Sequence, residues 1–231
     1  MVAALGPHPA VTAGGKVVVF GAGSLAQVVD HHLRGDSLYE VVAFTVTRDR
    51  LAAERFLGRP LVPFEQVVEH YPPSEHGMFV AVGYDRMNRV RSRFYDEAKA
   101  KGYRLPGYVS STALVDAASL GDNCLILAGA IVEPFATIGN DVIVWSGAHV
   151  CHHSSVGDHS FVGPGVAVAS YTSVGRRCFL GVHATVRDSI NVADDCLIGA
   201  GANVLRDTTP GQVLLGAAAR PYPGDVSRFF D

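Results

Sequence analysis

From Leu114 to Val204 every sixth residue is aliphatic: Leu114, Leu120, Ile126, Val132, Ile138, Val144, Val150, Val156, Val162, Val168, Val174, Leu180, Val186, Val192, Ile198 and Val204. If about a quarter of positions carry Val, Ile or Leu, chance gives such a run with a probability below ~10⁻⁹. A repeat of this kind decides the fold before any local propensity does. Two residues before the aliphatic the side chain is usually small, as at Cys124, Ala130, Ala136, Ser154, Thr172 and Ala202. The residue after it is often glycine, as at Gly121, Gly139, Gly157 and Gly175, and turn formers such as Asp122-Asn123, Asn140-Asp141 and Pro164-Gly165 follow. Each hexapeptide is thus a short strand and a corner. Three make a triangular coil of eighteen residues, and stacked coils repeat at ~4.8 Å.

The pattern resembles the left-handed parallel β-helix family. The handedness comes from that resemblance, because ordinary crossover connections are right-handed. Residues eighteen apart stack, which puts Cys124, Cys178 and Cys196 in one inward column as small core residues. Leu125, Ile143, Phe161, Phe179 and Leu197 form an outward column, with Leu127 and Trp145 beside it. The corresponding column on another face is polar: Ser119, Thr137, Ser155, Ser173 and Asn191. A greasy outward face should be covered. A second copy of the chain is the expected cover, and docking of the N-terminal domain is the alternative.

Residues 16–108 have a different rhythm. Lys16–Phe20, Glu40–Val46 and Met78–Val82 read as buried strands. Between and after them lie helical patterns: one capped by Ser24 and stopped at Gly35, a short one over Phe64–His70, and a charged one over Met87–Lys101. Alternating strands and helices predict a small parallel α/β sheet. The expected organisation is a flexible tail (1–15), a Rossmann-like α/β domain (16–108), a β-helix (109–208) and a C-terminal tail (209–231). In fold class this is an α/β N-terminal half-Rossmann domain followed by a left-handed parallel β-helix.

A net charge of -3 with 18% charged residues carries no basic stripe for nucleic acid. No apolar run approaches the ~20 residues that cross a bilayer, so no membrane partner is expected. The four cysteines lack zinc spacing, and a disulfide framework does not suit so apolar a chain. These features point to the cytoplasm.

His149, His152, His153 and His159 crowd into the run AHVCHHSSVGDHS. Metal binding is one reading of such a cluster. The repeat separates the four, however: His149 is in a strand, His152 and His153 are on the next corner, and His159 is on the one after. His159 reads as a solvated corner residue. The run Val150-Cys151-His152-His153-Ser154-Ser155-Val156-Gly157-Asp158 resembles the active-site coil of bacterial sugar acetyltransferases of the sialic acid O-acetyltransferase and UDP-4-amino-sugar N-acetyltransferase group. The Gly21-Ala22-Gly23 turn, Ala81-Val82-Gly83 before the Arg-rich helix, and the ending Gly216-Ala217-Ala218-Ala219-Arg220 extend the resemblance over most of the chain.

That resemblance implies an acetyl-CoA-dependent N-acetyltransferase acting on a nucleotide-linked amino sugar, with acetyl-CoA as co-substrate, no metal, and a homotrimeric assembly. It makes His152 the general base, a task suited to a pKa near working pH. The family's acidic neighbour is replaced here by His153, and the preceding Glu by Cys151. Glu133, one coil below Cys151, is a diagonal neighbour, so Glu133 or His153 is expected to hold the imidazole. The Ser170 N–H is the implied oxyanion donor. Acetyl-CoA is expected along a groove past Phe161 and Ser170, with Arg187, Arg206 and Arg220 as phosphate partners.

Gly21-Ala22-Gly23-Ser24-Leu25-Ala26 fits G-x-G-x-x-A after a strand. Alone this suggests NAD, but about ninety residues are too few for a full double nucleotide fold. The family reading assigns it to the nucleotide sugar, with Gly21, Ala22, Gly23, Ser24, Thr45, Thr47, Gly83 and Tyr84 as binding residues and the pyrophosphate on the amides of Gly23 and Ser24. Three other readings stay open. One is a sugar O-acetyltransferase with the same site. Another is a γ-carbonic-anhydrase-like metal site enlisting His149 and His183. The third is a non-catalytic β-helix that binds a nucleotide sugar.

Overall fold

In the computed structural model, residues 14–221 are described. Almost all of the expected N-terminal tail lies outside them, and Gly14 and Gly15 already belong to the first strand. The α/β domain holds β1 (Gly14–Phe20), α1 (Ser24–Gly35), β2 (Leu38–Val46), β3 (Arg55–Phe56), β4 (Arg59–Pro63), α2 (Val67–His70), β5 (Gly77–Val80) and α3 (Arg89–Ala100). The sheet order is β3-β4-β2-β1-β5, parallel except for the β3–β4 hairpin. That hairpin was not anticipated, because its two strands are short and Leu57-Gly58 turns between them at positive φ. Gly23, not Ser24, is the N-cap of α1, and no side chain caps it.

From Tyr108 onward two-residue strands stack into three parallel sheets. Sheet I runs from Tyr108–Val109 through Ile143–Val144 and Phe161–Val162 to Val213–Leu214. Sheet II contains His149–Val150 and sheet III contains Ser155–Val156. The stack thus reaches beyond residue 208, since Val213–Leu214 pairs with Leu197–Ile198 inside the expected C-terminal tail. The aliphatics from Ile126 to Val204 are all buried in one core. Leu114 breaks the frame: it pairs with Ile131, seventeen residues on, and is 68% exposed, while Val115 takes the inward place.

The corners show why the turn residues were there. The third corner residue adopts left-handed φ at every corner from Asn123 (52°) through His153 (58°) to Gly201 (64°). Asn and Asp tolerate this, and other residues do so when neighbours hold them. Cys124, Cys178 and Cys196 are buried free thiols of the core, as the column arithmetic expected. Cys124 and Cys178 each donate to a carbonyl fifteen residues on, as Ser154 and Ser160 do.

The greasy stripe of sheet I is covered by the N-terminal domain, not by a second copy. Leu125, Leu127, Ile143 and Phe161 share one core with Val17, Val19, Leu33, Phe44 and Phe79. A polar seam locks the two together along the corner between sheets III and I. Arg91 of α3, fully buried, pairs with buried Asp141 at 3.0 Å and donates to the carbonyls of Gly83 and His159. His159 is therefore not solvated. It is 3% exposed, with Nδ1 2.9 Å from Asp141, because α3 lies over its corner.

Candidate active site

The carboxyl ends of the α/β strands and one corner of the prism carry the chemistry. At the carboxyl ends of β1, β2 and β5 an open cleft of about 1040 Å³ is lined by Gly21, Ala22, Gly23, Ser24, Thr47 and Gly83. This is where open α/β sheets bind ligands. Gly21 has φ +128°, and a Cβ there would sit 2.7 Å from the Ala81 carbonyl oxygen, so the turn accepts only glycine. The α1 amides begin directly after Gly23. Asp49, Arg50, Asp85, Arg86 and Arg93 also line the cleft. From the sequence, Asp49 stands late for a ribose-binding acid, and the other four were not singled out although the Arg-rich helix was visible.

Two expected cleft residues lie elsewhere. Thr45 is fully buried in β2 and donates to the Val62 carbonyl at 2.9 Å. Tyr84, 55% exposed, packs edge-on against Phe161 and Phe179 of sheet I. The loop between them and α3 is strained: Arg86, Met87 and Asn88 are three consecutive residues with φ of 50°, 55° and 62°. Left-handed conformations cost roughly 1–2 kcal/mol per residue. Asn88 holds the turn by donating to the Cys178 carbonyl and accepting from Arg91.

The histidine corner lies between sheets II and III, the prism edge opposite sheet I. His152 Nδ1 is 3.0 Å from His153 Nδ1, and His152 Nε2 is 3.0 Å from Ser170 Oγ. His153 stacks between Phe135 and Tyr171, with ring centroids 4.7 and 4.9 Å away. These three residues are eighteen apart in one corner column, so the ladder was available from the period. Tyr171 also meets His152 edge-on at 5.4 Å.

Glu133 is not on the His152 imidazole. Its Oε1 is 2.6 Å from His149 Nε2, and its Oε2 accepts the His152 backbone N–H at 2.8 Å. The His152 amide, then His149, hold the Glu133 carboxyl below its usual range. Of the two expected partners, His153 is the one that meets the ring. Among the described residues the Ser170 N–H donates to no backbone carbonyl.

Of the expected coenzyme residues, Phe161 is 6% exposed and lies in the inter-domain core, closed off from the histidine edge. Arg187 is exposed two coils above Cys151 in its column, and Arg206 three coils above His152, roughly 14 Å up the same edge. Arg220 is exposed near the end of the described chain. His183 packs over Gly165 and does not join His149.

A hexapeptide prism with a histidine on an open edge, carried beside a half-Rossmann cleft, defines a hexapeptide-repeat transferase. The bacterial transferase hexapeptide (six repeats) family matches residues 117–152 and 135–170, and the hexapeptide repeat of succinyl-transferase matches residues 171–206. A search of curated proteins returned no match. Among solved structures, a histidine-to-alanine variant of GDP-perosamine N-acetyltransferase from Caulobacter crescentus, in complex with CoA and GDP-perosamine, is 30% identical. It has a TM-score of 0.76 over 87% of this chain and 94% of that one. The acetyltransferase domain of PglB from Neisseria gonorrhoeae in complex with acetyl coenzyme A is 26% identical, with a TM-score of 0.78 over 91% and 100% of the two chains. The chain belongs to the hexapeptide-repeat sugar acetyltransferases, with their left-handed β-helix, and it is an acyltransferase.

Proposed function

We propose that the chain transfers an acetyl group directly from acetyl-CoA to the amine of a nucleotide-linked amino sugar, with His152 as general base. The observation that carries this is the His152 imidazole, held at Nδ1 by His153 and meeting Ser170 Oγ with Nε2. All partners are satisfied when His152 Nδ1–H donates to His153 Nδ1 and the Ser170 hydroxyl donates to the Nε2 lone pair. When the acceptor amine arrives, the Ser170 hydroxyl turns away and frees that lone pair, which faces the open edge. The acceptor amine attacks the thioester carbonyl carbon, and His152 Nε2 takes the proton as the C–N bond forms. The Ser170 N–H stabilises the oxyanion. Collapse breaks the C–S bond, and the proton leaves with the CoA thiolate as a thiol. The GDP-perosamine N-acetyltransferase and the PglB domain, solved with CoA or acetyl coenzyme A, support this reading.

The nucleotide part of the acceptor binds in the α/β cleft, its diphosphate on the amides after Gly23. The coenzyme lies up the histidine edge past Ser170 toward Arg187 and Arg206. The α/β domain is docked on sheet I, and His152 is on the edge opposite, which points to the cleft of a neighbouring copy as the one that serves it. A neighbouring copy completes each site, which supports a cyclic trimer. The reaction belongs in the cytoplasm; among the described residues no helix is long and apolar enough to cross a membrane.

His152→Ala is expected to cut CoA release by ~10²-fold or more, with the assembly mass unchanged by light scattering. Retained turnover refutes the role of His152, and a monomeric wild type refutes the shared site.

A further inference from the structure

One set of donors on the histidine edge has no part in the transfer step. His149 and Cys151 flank Val150, so their side chains leave the same side of the strand. Glu133 follows Val132, which pairs with Val150, and so stands one coil below Cys151. Donor atoms of Glu133, His149 and Cys151 lie within 4.8 Å of one another, all three half-buried. Among the described residues they are the one group of three such donors gathered this closely.

We infer that Glu133, His149 and Cys151 form a binding site for a zinc-class divalent ion, and that an ion held there inhibits the enzyme. One carboxylate oxygen, one imidazole nitrogen and one thiolate are a ligand set that zinc accepts, with the fourth position left to water. Bond lengths of about 2.0–2.3 Å put tetrahedral donors roughly 3.3–3.6 Å apart, so side-chain rotation need close no gap by more than about 1.5 Å. Sulfur and imidazole exclude magnesium and calcium, which take oxygen ligands. Inhibition follows from what the ligands are attached to. Cys151 directly precedes His152, and the second oxygen of Glu133 holds the His152 N–H at 2.8 Å. Drawing Glu133 and Cys151 onto an ion shifts the corner that aims the His152 ring.

The binding half stands apart from the proposed transfer, while the inhibition half rests on it. Chelator-treated, desalted protein is titrated with zinc against a chromophoric chelator, and in parallel with cobalt(II) followed by absorption. The expected result is one zinc per chain and a thiolate-to-cobalt charge-transfer band. Cys124, Cys178 and Cys196 are buried in the core or at its upper end, so the band reports Cys151. Cys151→Ser abolishes the band, and Cys151→Ser and His149→Ala each weaken zinc at least tenfold. Cys151→Ser also retains basal transfer and loses inhibition that EDTA reverses in the wild type. Zinc binding unchanged in both variants, or a cobalt spectrum without the band, overturns the site. Zinc bound as described without loss of CoA release overturns the inhibition alone. A protein that binds zinc but transfers to no nucleotide-linked amino sugar overturns the transfer reading instead.

Discussion

The substitution His153→Phe separates two things that His153 does. Its ring stacks between Phe135 and Tyr171, and its Nδ1 meets His152 Nδ1 at 3.0 Å. Phenylalanine keeps the first and deletes the second. The backbone accepts the change, because Phe135 holds the same corner position one coil below at φ 65°, against 58° for His153. The lost hydrogen bond serves an imidazole that becomes charged in the transition state, and bonds to charged groups contribute about 1.5–3 kcal/mol. At 1.36 kcal/mol per decade, kcat should fall roughly 10- to 150-fold. The thermal midpoint should barely move. His153→Asp supplies a carboxylate in the same left-handed conformation that Asp141 and Asp195 adopt. It should retain turnover and move the acid limb of the kcat–pH profile upward, since a neighbouring negative charge raises the imidazole pKa. The assay is CoA release, resolved chromatographically from pH 6 to 9 with saturating acetyl-CoA. Turnover of His153→Phe within twofold of wild type across that range would refute the idea that His153 holds the base.

Four further outcomes follow from the same geometry. Arg91→Met removes the guanidinium from buried Asp141 and leaves it only His159 and Asn123, a loss of up to ~3–5 kcal/mol, so the thermal midpoint should drop by several degrees in scanning calorimetry; an unchanged midpoint contradicts the seam. Phe161→Ala should cost ~3–5 kcal/mol of stability and leave KM for acetyl-CoA within twofold, because the ring is sealed in the inter-domain core; a large KM effect would return it to the coenzyme groove. Gly21→Ala should abolish the thermal stabilisation given by nucleoside diphosphates, since its Cβ meets the Ala81 carbonyl. Asp195 is held low by Arg177, and Asp36, although burial pushes it up, is held low overall by Ser111, Tyr108 and Ser110. A depressed folded pKa means stability present above the unfolded carboxylate value of about 3.9 and lost as pH falls through the folded one. The stability gap between wild type and Asp36→Ala, measured by guanidinium unfolding, should therefore be wider at pH 7 than at pH 2.5.

The prism was legible because its information is local and periodic: from Ile126 to Val204 each inward aliphatic is specified by the one six residues earlier. The slip at Leu114 was not, because the first coil has neighbours on one side only and tolerates a seventeen-residue step. The histidine corner followed from the same arithmetic, and so did the Phe135–His153–Tyr171 column once stacking is considered. What covers sheet I did not follow. The apolar stripe demanded a cover, but nothing in a repeat says whether that is a second chain or a helix ninety residues upstream. His159 was misread for this reason: its burial depends on Arg91, which belongs to the other domain. Thr45 and Tyr84 were assigned by adjacency to a motif, and their orientations are set by the Val62 carbonyl and by two phenylalanine rings.

The seam along α3 also sets an order of events at the ribosome. Asn88 waits for a carbonyl 90 residues downstream, and Arg89 for a carboxylate 106 residues downstream. At about 5–20 residues per second this is an interval of roughly 5–20 s. Through the first 50 to 70 of those residues, until Asp141, His159 and Phe161 have emerged, the nascent α/β domain carries Arg91 and the underside of its sheet in water. The coils that will cover them need only their immediate predecessor and can assemble as each emerges. Chains arrested short of Phe161 should accordingly be the ones that chaperones capture, and chains arrested two coils later, with Asp195 in place, should be released.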